Sequence, residues 1–74
     1  LMSTANLLEA LQKGNVSINF KHWMTEEPLH VVGTLVSKTT IKQQHDTHTI
    51  IVYDTDKESW MDIRVSTIID WKME

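Results

Sequence analysis

The segment Asn15-Val16-Ser17-Ile18-Asn19-Phe20-Lys21 decides the fold, because its apolar and polar residues alternate without a fault. Period-2 alternation places Val16, Ile18 and Phe20 on the buried face of a strand and leaves the polar residues on the other. The residues before it have a different period. Between Ser3 and Lys13, Leu7, Leu8 and Leu11 form one apolar stripe with Ala10 beside it, the pattern of a short helix. Ser3 or Thr4 can accept from its first N–H groups, Lys13 suits the negative end of its dipole, and Gly14 can close it in the left-handed conformation. A helix of about ten residues is marginal alone in water, so the leucine stripe must dock on the strands downstream.

Beyond Lys21 the alternation slips, with His22 taking the inward parity and Trp23 the outward one. His22 is expected at the rim of the sheet, hydrogen-bonded to backbone. Thr25 to Pro28 reads as a loop, since Pro28 cannot donate to a ladder and biases Glu27 toward extended backbone. Leu29 to Ser37 is a second strand, and the glycine inside it, Gly33, marks a bulge or a sharp bend. Thr39 to Lys42 continues the extended character, and Gln43 to Asp46 reads as a polar hairpin turn. Thr47 to Tyr53 is a third strand, whose nearly continuous apolar run suggests burial on both sides or a central position. After the turn Asp54 to Glu58, Ser59 to Val65 alternates again, with Met61, Ile63 and Val65 facing opposite to Trp60, Asp62 and Arg64. Ser66-Thr67 reads as a single turn, 3₁₀ in character, before a last short strand ending at Trp71.

These readings give a mainly β (α+β) chain, one domain over residues 1–74: a helix at about 3–13, then five strands between about 15 and 71, forming a strongly bent antiparallel sheet or small barrel. The expected core is Leu7, Leu8, Leu11, Val16, Ile18, Phe20, Val31, Leu35, Ile51, Ile63, Val65 and Ile68. A helix followed by five short strands, with a glycine bend in the second and a one-turn break before the last, resembles the Sm-like and SH3-like small barrels. The tail Trp60-Met61-Asp62-Ile63-Arg64-Val65-Ser66-Thr67-Ile68-Ile69-Asp70 resembles the closing strand, turn and strand of the bacterial and phage YolD-like proteins, which have an Sm-like barrel. Val31-Val32-Gly33-Thr34-Leu35-Val36 is similar to that family's strand around a glycine. Where the family carries a longer N-terminal arm, a single helix stands here. The resemblance covers roughly residues 29 to 71, and it implies a non-enzymatic accessory role, phage- or mobile-element-derived, in company with an error-prone DNA polymerase.

Composition bounds the function further. Seventy-four residues of 8.6 kDa allow one small core. The chain has no cysteine, which removes disulfides, thiolate catalysis and cysteine zinc sites. No apolar run approaches the roughly 20 residues of a membrane-spanning helix, and the start lacks the pattern of a signal peptide, so the expectation is a cytoplasmic protein with Met2 as its native start. The net charge of −3 has the wrong sign for a protein that lives on phosphate contacts.

The motifs that could carry chemistry are each incomplete. His45 and His48 flank Asp46, but two imidazoles and one carboxylate are an incomplete metal shell unless His22 or His30 joins. Asp54-x-Asp56-x-Glu58 lacks the glycine and the closing glutamate of a calcium loop, since Ser59 and Val65 stand there. Only two glycines exist, too few for a glycine-rich phosphate cradle, and no serine, histidine and aspartate stand out as a triad by spacing. The expectation is therefore a protein without catalytic residues, metal or cofactor. Three tryptophans in so short a chain need an explanation. Each can cover an end of the sheet or pack under the helix; alternatively Trp23, Met24, Tyr53 and Trp60 form a partner-binding patch. The function expected is a protein-interaction module, self-associating or capping a partner. The alternative is a single-stranded nucleic-acid binder, which predicts that Lys21, Lys38, Lys42 and Arg64 gather around an aromatic.

Overall fold

The computed structural model describes residues 4–36 and 48–74. Helix α1 spans Thr4–Lys13, followed by β1 at Val16–Lys21, β2 at Pro28–Thr34, β3 at Thr49–Asp54 and β4 at Ser59–Arg64; a 3₁₀ turn at Val65–Thr67 leads into β5 at Ile68–Met73. The strands form one antiparallel sheet in the order β4-β3-β2-β1-β5. The decisive segment Val16–Lys21 is an interior strand, flanked by β2 over six residue pairs and by β5 over five. Among the described residues β4 and β5 do not pair with each other, so the sheet is open rather than a closed barrel. The reading of residues 39–46 as extended chain and hairpin turn lies outside the described residues, as do Ser3, Lys38, Lys42 and His45.

Val16, Ile18 and Phe20 are buried together with Leu7, Ala10 and Leu11 of the helix, Val31 of β2, Ile50 and Val52 of β3, and Ile63 of β4. Leu8, Leu35, Val65 and Ile68 pack against this cluster half-buried. The exception to the expected core is Ile51, which is half-buried while its neighbours Ile50 and Val52 face in. In an unbroken run of branched aliphatics the two faces look alike, so a one-residue error in parity carries no warning in the sequence.

The two glycines act differently from the expectation. Neither has positive φ. Gly14 therefore does not close the helix in the left-handed conformation. The carbonyls at the helix end are met instead by β2 and the residue after it: the Leu35 N–H donates to the Leu11 carbonyl at 2.9 Å, and the Thr34 hydroxyl donates to the Gly14 carbonyl at 3.1 Å. Gly33 carries no bulge against β1, whose register runs through it unbroken. It is where β2 passes from β1 to β3, pairing Val16 on one side and Asp54 on the other. A Cβ there would lie 3.2 Å from the Val52 side chain, so glycine permits the close approach of β3. The bulge sits elsewhere, between β1 and β5, where Asn19 faces Asp70 but Phe20 faces Ile68. No described helix is long and apolar enough to cross a membrane.

Candidate functional site

The connection between β1 and β2 is built around His22. Its N–H donates to the Glu27 carbonyl at 2.8 Å, and its own carbonyl accepts from the Glu26 N–H at 2.9 Å. Its ring Nδ1 accepts from the backbone N–H groups of Met24 at 3.1 Å and Thr25 at 3.3 Å. The imidazole is thus the internal cap of the turn, as its inward parity predicts. Glu26 completes the reversal at φ 58°, a left-handed conformation that costs a residue with a Cβ about 1–2 kcal/mol.

With the backbone fixed this way, Trp23 and Met24 project from the tip, 57% and 66% exposed. Trp23 has two neighbours. The His22 ring lies near-parallel to it, at 6.2 Å between centroids and 17° between planes, and the Arg64 guanidinium sits 4.5 Å from its ring centroid. The second contact is a cation–π pair between the first hairpin and the far end of β4. It exists because the open sheet curls: β1 and β4 are separated by two strands in the sheet order, yet both line one cleft. That cleft has a volume of about 440 Å³; of its lining, Phe20, Leu29, Met61 and Ile63 are buried or half-buried and form the floor, and the exposed Lys21, Trp23, Asp62 and Arg64 are assigned to its mouth on that ground. No salt bridge joins Lys21 or Arg64 to a carboxylate among the described residues.

The other two residues of the expected patch stand apart from this hairpin. Tyr53 and Trp60 face each other across β3 and β4 and make an edge-to-face contact at 5.3 Å and 77°. Both are half-buried. Trp60 shares the outer face of β4 with Asp62 and Arg64, and four residues of strand put it roughly 13 Å from Arg64. The patch is therefore two groups, an exposed pair at the hairpin and a packed aromatic pair at the opposite end of β4. The third tryptophan, Trp71, pairs with Ile18 in register and packs on the core.

One arrangement escaped the sequence reading. Ser17 Oγ and His30 Nε2 share a hydrogen bond at 2.6 Å, the spacing of a nucleophile and its base. The signal lay in strand register: Asn19 faces His30, which makes Ser17 its diagonal neighbour on the same face. Chemistry at this pair is unsupported by its surroundings. Ser17 is buried, and Asp70, the nearby carboxylate, accepts from Asn19 Nδ2 at 2.7 Å. β1 is paired with a strand on each side, so its backbone N–H groups are directed into ladders rather than toward this pair. The pair ties β1 to β2.

The acidic turn is likewise self-contained. Asp54 is buried, and its Oδ1 accepts from the N–H groups of Asp56 at 2.9 Å and Lys57 at 3.1 Å. Among the described residues no three histidine, aspartate or glutamate side chains converge as a metal site. Comparison with protein-family models, with curated proteins and with solved structures finds no match.

Proposed function

We propose that this chain is a non-enzymatic protein-interaction module that self-associates through the two sheet edges left unpaired among the described residues. The observation that supports this most directly is the strand order, which ends in β4 on one side and β5 on the other. An edge strand offers unpaired N–H and C=O groups that another strand can complete. β4 is the better template. It pairs with β3 over six consecutive residues without a break and contains no proline. β5 bears the bulge that protects edges, but it also exposes Ile69 at 49% and Met73 at 44%. Each copy carries both edges, so joining one copy's β4 to the next copy's β5 continues the sheet and closes into a ring if the rotation allows.

A helix, five strands and a 3₁₀ turn before the last of them agree with the Sm-like and YolD-like resemblance, and we read the open sheet as a small barrel of that kind, in a cytoplasmic protein of bacterial or phage origin. The accessory role beside a polymerase rests on that resemblance alone. The single-stranded nucleic-acid reading draws on one observation, that Lys21 and Arg64 both lie beside Trp23. Against it stand the net charge of −3, Asp62 at the same mouth, and a tryptophan face already occupied by a guanidinium. Light scattering separates the two. Self-association gives a discrete species heavier than the monomer and indifferent to oligonucleotide, whereas a monomer that gains mass with oligonucleotide overturns the proposal.

A further inference from the structure

Arg64 is the only arginine of the chain, and its position is unusual for an exposed cation. Its guanidinium lies 4.5 Å from the Trp23 ring centroid, and no ion pair joins it to a carboxylate among the described residues. A guanidinium presents a fork of donors that matches a carboxylate, and one already held in place loses less freedom on binding. Beneath it, Leu29 and Met61 are only half-buried, in a cleft whose volume of about 440 Å³ lies within the range of about 300–1,000 Å³ found for ligand sites. Lys21 adds a second cation at the mouth against the single carboxylate of Asp62, so this cleft is locally positive on an acidic chain.

We propose that the cleft between the β1–β2 hairpin and β4 receives a segment of a partner protein carrying a bulky apolar side chain beside a carboxylate, the carboxylate on Arg64 and the side chain against Leu29 and Met61. The partner is a protein rather than a nucleic acid for the reason the mouth gives. Arg64 covers the tryptophan face on which a base would stack, and Asp62 repels a continuous phosphate chain. The hairpin tip suits the same task, since Trp23 and Met24 are exposed and apolar side chains of this type dominate protein contacts. This inference rests on the protein-interaction reading; the cleft shares β4 with one of the proposed pairing edges, but it uses the side chains of that strand and of the hairpin rather than the backbone groups of the edge.

The test is a titration of the ¹⁵N-labelled full chain with the peptide acetyl-Glu-Leu-Phe-Glu-amide, with its Gln-for-Glu counterpart, and with a short oligothymidylate. The acidic peptide should shift the indole N–H of Trp23 and the Nε–H of Arg64 and bind about tenfold more tightly than the neutral one. Arg64→Gln should abolish that difference while its spectrum keeps the dispersion of the parent, and Arg64→Lys should restore part of it. Equal binding of both peptides, shifts confined to other lysines, or an oligothymidylate that moves Trp23 and Arg64 instead would each overturn the assignment. Light scattering on the same samples keeps the two readings apart. An unchanged oligomer with a failed titration removes the cleft proposal alone, and a monomer that still binds the acidic peptide removes edge pairing alone.

Discussion

Asp54 shows how one side chain fixes a turn. Its carboxylate takes two backbone N–H groups of the loop that joins β3 to β4, and it does so while buried. Replacing it with alanine leaves those donors unmet and should cost about 1–3 kcal/mol in a denaturant titration, whereas Asp54→Asn keeps the accepting oxygen and should lie within about 0.5 kcal/mol of the parent. Glu58, at φ 52° in the same turn, is strained where a glycine would not be. Relief of about 1–2 kcal/mol of strain, less about 0.4–1 kcal/mol for the freer unfolded chain, means Glu58→Gly should raise stability by about 1 kcal/mol, and a fall would show that the side chain has a role the backbone does not explain. Gly33 is the opposite case. A Cβ there would lie 3.2 Å from Val52, which is fully buried in the core and has little room to give, so Gly33→Ala should destabilise by about 1–3 kcal/mol.

At the scale of elements, the helix is held by the sheet rather than by its own ends. Its ion pair, Lys13 with Glu9 at 3.1 Å, is exposed on both sides and contributes little. Thr34 does more: its hydroxyl donates to the Gly14 carbonyl and accepts from the Val36 N–H at 3.0 Å, in a buried position. Thr34→Val should remove both bonds and cost about 1–3 kcal/mol, with hydrogen exchange accelerated first in the last turn of the helix. Such contacts mark the limit of what the sequence discloses. The helix, the first strand and the turn before the last strand were legible because each has a clean period or a clear break. The parity of β3 was not, since Ile50, Ile51 and Val52 are all branched aliphatics and only packing in the assembled core selects a face. The site was legible in kind only. Outward parity marked Trp23 and the loop marked Met24, but nothing in a linear pattern encodes the curl that carries Arg64 across two strands to meet them.

For the whole molecule the governing fact is an open sheet on a small core. A chain of this size buries only about 60% of the surface its unfolded form exposes, so completing the edges with a second copy adds burial that the monomer lacks. Charge does not oppose this strongly, since −3 is spread along the chain. The most direct measurement is the mass in solution by light scattering, over a range of protein concentration and with a short single-stranded oligonucleotide at low and moderate salt. Edge-mediated self-association predicts a discrete multiple of the 8.6 kDa chain, unmoved by the oligonucleotide. A monomer at every concentration, or a mass that rises with oligonucleotide and falls back as salt increases, would contradict it.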